Sequence, residues 1–218
     1  GLLFSILMKK DNPSHDVTVL ERNKADDTFG FGVVFSRAAL ASIAHLDRPV
    51  HDAITKSFFH WDDIHIHFKG EVLKSTGHGF SRLSPRTLLN ILHRRADEMG
   101  VKQVYQTEVS DLAPWRGADL ILPADGANST VRAKFADRFK PTIDWRPNRF
   151  VWLGTTFPFT AFTFYFKENE HGLWRVHAYR YDREHSTFIV ETTEAAWRKA
   201  GLENATEDRT IEFCEKLF

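Results

Sequence analysis

With 218 residues, 42% of them apolar and 19 of them phenylalanine, the chain has material for a large core, in one domain or two interwoven ones. Lys+Arg and Asp+Glu both number 29, so no basic field exists to gather counterions around a nucleic acid. The lone Cys214 excludes disulfides and cysteine-rich zinc sites and suits a reducing, cytoplasmic compartment, and no apolar run approaches a membrane span.

Leu2, Leu3, Ile6 and Leu7 recur at helical spacing and predict a helix over 1–10, with Lys9 and Lys10 suiting its C-terminus. Pro13 and Ser14 break it, and Val17 to Leu20 form a β-branched, apolar strand that stops at Glu21. A helix running into a buried strand is the second half of a βαβ unit, so the first strand is expected before residue 1.

A glycine-containing loop is expected over 26–36, then a short helix near 38–45. Ile64, Ile66 and Phe68 alternate with His65 and His67 in a strand that turns at Lys69-Gly70 into a second one. Ser84 and Pro85 open a helix that carries Leu88, Leu89, Leu92, Ala96 and Met99 and closes at Gly100. A strand near 101–106 follows. The apolar run Leu120, Ile121, Leu122 predicts another short buried strand, and Ser129 caps a helix running to Phe139. Beyond Pro147 the aromatic-rich stretches 150–154, 161–166, 173–181 and 186–191 predict a second, antiparallel sheet. A final amphipathic helix over 207–218 ends without a cap, as if the chain continued.

The expected fold class is α/β: a three-layer, Rossmann-like dinucleotide domain interwoven with a mostly antiparallel β-sheet domain. The dinucleotide part covers 1–59 and 82–146; the second domain covers the hairpin 60–81 and 147–218.

Glu21 lies twenty positions after Gly1, where dinucleotide-binding folds hold an acid that accepts hydrogen bonds from the adenosine ribose while the helix N-terminus faces the pyrophosphate. A solvated glutamate at a strand end is the plain alternative. Asp125 follows a short apolar strand, Gly126 lets the backbone approach a ligand closely, and Ser129 starts the next helix. An ordinary strand-turn-helix, with Arg132 paired to a local acid, is the alternative there. His65 and His67 share a strand face at metal-ligand spacing, yet no third ligand is evident, so no metal is expected.

The run Asp125-Gly126-x-x-Ser129-x-x-Arg132 resembles the signature of flavoprotein aromatic hydroxylases of the p-hydroxybenzoate hydroxylase type. VTVLERN (17–23), FGFGVVFS (29–36), HWDDIHIHFKG (60–70), HGF (78–80), LLNIL (88–92), RFVWLGT (149–155) and STFIVET (186–192) are similar to the salicylyl-CoA 5-hydroxylase and 2-aminobenzoyl-CoA monooxygenase group. Violacein-pathway tryptophan hydroxylases share several of these stretches.

The resemblance implies a cytoplasmic oxidoreductase with FAD as cofactor, NADH or NADPH as transient reductant and O2 as co-substrate. Its partner is a small aromatic molecule, CoA-linked or free, hydroxylated through a C4a-hydroperoxyflavin. It also implies flavin contacts from Gly1, Glu21, Arg22, Val34, Phe35, Ser36, Val109, Asp125 and Gly126. The arginine that opens the LLNIL helix in the family falls on Pro85, which shifts the pyrophosphate role to Arg86, with Arg82 as a rival. Trp152, His177 and Tyr179 are the implied substrate contacts; no catalytic base is implied, because the cofactor carries the hard chemistry. The family's third flavin motif, a Gly-Asp pair, is not found before Phe218. A flavin-free fragment with vestigial motifs is the non-enzymatic alternative.

Overall fold

The computed structural model describes residues 1–218, apart from the side chain of Phe59. Helix α1 (Leu2–Asp11) packs on β1 (Thr18–Leu20), which pairs in parallel with β7 (Lys102–Val104). Helices α2 (Arg37–Leu46), α3 (Arg48–Lys56) and α4 (Pro85–Glu98) complete this half. Its core joins Ile6, Val50, Ile54, Leu83, Ile91 and Val101, all less than a tenth exposed.

Asp47 governs the bend between α2 and α3. It is fully buried, ends α2, and accepts the Val50 N–H (3.0 Å) as N-cap of α3. It also accepts from the Arg95 Nε and Nη2 on α4 at 3.2 and 3.1 Å. Ser84 caps α4 through the Thr87 N–H, and Gly100 takes φ +73° just past that helix, where an L side chain is strained.

Four features depart from the expectations. The glycine loop ends in a strand, β2 (Val33–Phe35), in a three-stranded sheet of order β2-β6-β3 with β6 (Phe80–Leu83) and β3 (Phe59–Trp61). Residues 48–56 are helical. Leu120, Ile121 and Leu122 form no strand and are 61%, 37% and 49% exposed. The two-stranded sheet of β1 and β7 leaves both edges open, and this apolar run pairs with neither strand. The helix after Ser129 is also interrupted, as α5 (Thr130–Lys134) and α6 (Ala136–Phe139).

The second half is a six-stranded sheet of order β5-β4-β9-β10-β11-β8. It is built from the hairpin β4 (Ile64–Phe68) and β5 (Glu71–Ser75) with β8 (Asn148–Thr155), β9 (Phe162–Asn169), β10 (Gly172–Arg180) and β11 (Ser186–Thr193). All pairs are antiparallel except β4 with β9. Because pleating sends alternate side chains to opposite faces, the register sorts this sheet cleanly. One face carries Val151, Val190, Val176 and Tyr165, and α7 (Glu194–Lys199) and α8 (Glu207–Leu217) cover it around the fully buried Trp174. The other face carries the row Trp152, Ile189, His177, Phe164, Ile66, and beside it the row Gly154, Thr187, Tyr179.

Candidate functional site

At the carboxyl end of β1, Glu21 stays tied to the ladder: its N–H donates to the Val104 carbonyl and its own carbonyl accepts the Thr107 N–H, both at 2.9 Å. Its Oε1 accepts the Asn23 N–H at 2.8 Å, which fixes the carboxylate at the strand tip. Arg22 beside it is exposed, and Val109 is half-buried. Gly1 is the N-cap of α1 and offers no capping side chain. The first-turn N–H groups therefore lack a side-chain acceptor, and the helix dipole favours an anion there.

The Asp125 turn comes to the same place, since a Cβ on Gly1 would lie 3.9 Å from the Ala124 Cβ. Gly126 has φ +82° and open space where a side chain would stand, so it needs glycine for backbone and leaves the turn unobstructed. The Asp125 carboxylate turns toward its own helix, with the Val131 N–H at 3.3 Å and the Thr130 hydroxyl at 3.4 Å. The Ser129 hydroxyl and these groups hold it below the usual carboxylate range, against partial desolvation. Gly1 and the Asp125-Gly126 turn are thus brought together, with Glu21 at the tip of the strand that follows α1.

The two arginines separate clearly. Arg86 is exposed in the first turn of α4, whereas Arg82 is buried with its guanidinium 4.2 Å from the Trp61 ring. Burial first, then Arg180, lower the Arg82 pKa to about 10, against the opposing pull of Asp182. Val34 and Phe35 are half-buried on β2, and Ser36 caps α2 by accepting the Ala39 N–H at 3.2 Å.

Three implied substrate contacts share one sheet face but have different surroundings. Tyr179 is 6% exposed, packed in a trio of rings with Trp61 and Phe162, and its hydroxyl donates to the Gly32 carbonyl at 3.2 Å. Trp152 lies with its six-membered ring against Gly30. His177 sits mid-row beside Phe164, half-buried, with neither ring nitrogen hydrogen-bonded among the described residues. Burial lowers its pKa, as does Arg175, while Glu191 opposes the shift, so the imidazole is neutral at pH 7. The glycine–aromatic contacts at Gly30 and Gly32 escaped the sequence reading; the spacing Phe-Gly-Phe-Gly over 29–32 was the available signal.

His65 and His67 do not converge on a further ligand. The His67 ring stacks on Tyr165 at 4.4 Å, and among the described residues no three His, Cys, Asp or Glu come together.

No protein-family model matches the chain. Among curated proteins it is 41% identical over 226 residues to salicyloyl-CoA 5-hydroxylase of a Streptomyces species, covering all of this chain and 44% of that protein. Over its whole length the chain is similar to part of an aromatic monooxygenase. It is also 29% identical over 196 residues to 3-hydroxy-4-methyl-anthranilyl-[aryl-carrier protein] 5-monooxygenase of Streptosporangium sibiricum, covering 89% of this chain and 55% of that one. The chain therefore spans about half the length of its curated relatives. Among solved structures, PqsL of Pseudomonas aeruginosa, described as a probable FAD-dependent monooxygenase, superposes with a TM-score of 0.67 at 13% identity, over 91% of this chain and 59% of PqsL. The chain has the flavoprotein monooxygenase fold, a Rossmann-like half interwoven with a mostly antiparallel sheet.

Proposed function

We propose that the full-length protein binds FAD and uses NADH or NADPH with O2 to hydroxylate an aromatic ring carried as a CoA thioester. The observation that carries this reading is the 41% identity to salicyloyl-CoA 5-hydroxylase along the whole chain. The second relative's name also describes an aryl acid on a carrier, which supports a thioester-linked substrate.

The residues present fit the adenosine half of FAD. Gly1 leaves the α1 N-terminus without a side-chain acceptor, the turn at Gly126 is open, and Glu21 ends its strand with a fixed carboxylate. In this reading Glu21 accepts from the ribose hydroxyls, the α1 N–H groups face the pyrophosphate, and Arg86 adds charge at a second helix N-terminus. Bound FAD supplies hydride acceptance and oxygen activation. The chain's own part is position and dryness: Ile189, His177 and Phe164 in one row give an apolar floor, and the neutral His177 can hold the proton of a ring substituent.

The test is a visible spectrum of the purified full-length protein, followed by NADH and NADPH oxidation with salicyloyl-CoA, free salicylate and an indole. A flavin spectrum and oxidation coupled to ring hydroxylation of the thioester are expected. Equal turnover of free aromatics would replace the thioester reading with an indole or free-aromatic hydroxylase. A colourless protein that takes up no added FAD would overturn the flavin reading altogether.

A further inference from the structure

The segment Phe29-Gly30-Phe31-Gly32 docks on the six-stranded sheet by reciprocal glycine–aromatic contacts. A Cβ on Gly30 would overlap the Trp152 ring, meeting Cζ3 at 2.8 Å and Cζ2 at 2.9 Å, and Gly30 has φ +80°. In return the Phe31 ring covers Gly154 on the same strand, where a Cβ would stand 3.3 Å from the Phe31 Cε1. Phe31 and Trp152 meet edge to face, with centroids 6.3 Å apart and planes at 73°. One residue on, a Cβ at Gly32 would lie 2.8 Å from the Tyr181 Cβ and 3.1 Å from the Tyr179 Cε2, while the Tyr179 hydroxyl bonds the Gly32 carbonyl. Each partner supplies both a ring and the gap that receives the other's ring. The next residues, Val33–Phe35, enter β2, and Ser36 caps α2.

We infer that this latch sets the position of Val34, Phe35 and Ser36 relative to the sheet, so that Trp152 is a positioning residue and not a substrate contact. The inference rests on the flavin reading above only for what those three residues line; the latch itself is a property of this chain. Edge-to-face and close glycine contacts of this kind have steep distance dependence, so losing the indole frees the segment without unfolding either core.

Two measurements on the full-length protein test it. In limited trypsin digestion without added flavin, Trp152→Ala is expected to speed cleavage at Arg22, Lys24 and Arg37 by about ten-fold, with far-UV circular dichroism unchanged and Trp152→Phe within about three-fold of wild type. Gly30→Ala, which forces the two groups apart, is expected to behave like Trp152→Ala. In FAD titration of the apoprotein, Trp152→Ala is expected to raise Kd by about ten-fold and shift the visible flavin band, with Trp152→Phe restoring both. Wild-type cleavage rates in Trp152→Ala would overturn the latch. Faster cleavage with unaltered FAD affinity and spectrum would overturn the positioning role. If the wild-type protein takes up no FAD, the flavin reading fails and the cleavage rates alone decide the latch.

Discussion

Replacing Asp47 by alanine removes three hydrogen-bond acceptor contacts at once from a site with no solvent access. Loss of the α3 cap costs about 1 kcal/mol. Breaking a fully buried ion pair costs roughly 3–5 kcal/mol, but Arg95 is 20% exposed and keeps Glu98 at 3.2 Å, which brings its share down to about 2 kcal/mol. The expected total is about 3 kcal/mol, or roughly 1 M in urea midpoint for an m-value of about 3 kcal/mol/M. Asp47→Asn keeps a capping oxygen and a neutral partner for Arg95, so it should lose less than half as much. Urea unfolding followed by far-UV circular dichroism measures both. Equal midpoints for the alanine and asparagine variants, or an alanine shift below about 0.3 M, would refute the assignment of Asp47 as the joint between α2, α3 and α4.

Glu21→Gln should weaken FAD binding to the full-length protein roughly ten- to a hundred-fold, the value of one charge-assisted bond, with an unchanged melting temperature; an unaltered Kd would remove Glu21 from the site. Burial lifts the Cys214 thiol to about 11, so a disulfide reagent should label it only when urea unfolds the chain, and rapid labelling of folded protein would contradict its packing. For His177, burial depresses the folded pKa below the unfolded value of about 6.5, so the unfolded chain binds more protons as pH falls through that window. Stability should therefore decline from pH 7.5 toward pH 5, and His177→Gln should flatten that decline; identical urea midpoints' pH dependence in both proteins would count against it. Trp174→Ala should cost about 3–5 kcal/mol, because the ring is fully buried and its N–H donates to Asn169 at 3.1 Å, and a calorimetric scan checks it.

Period and capping made most elements readable: α1 and α4 from helical spacing, the β4–β5 hairpin from alternation, and β8 to β11 from aromatic strand runs. The signal for α3 was present as well, an Asp47 cap followed by Pro49 in the first turn, and the reading passed over it. The β2-β6-β3 sheet escaped because its strands have three, four and three residues, too short for any period to register. Leu120 to Leu122 misled for the opposite reason: an apolar run records what a segment could bury and not whether it pairs, and here it stays exposed and unpaired. At the site, Glu21 follows β1 as the spacing suggested, whereas Asp125 follows a run that forms no strand and is placed by its turn beside Gly1. The contact of Trp152 with Gly30 was not, since it depends on two segments far apart in sequence meeting within van der Waals distance.

The parallel pairing of β4 with β9 has a kinetic consequence. Ile64 pairs with Phe162, roughly a hundred residues further along, and such long loop closure slows folding. During synthesis the β4–β5 hairpin, with Phe68, Val72 and Leu73 outward, emerges long before the strand that anchors it. Until β9 arrives, that hairpin is a sticky, half-finished edge, and conditions that slow translation between the two segments should favour aggregation over yield.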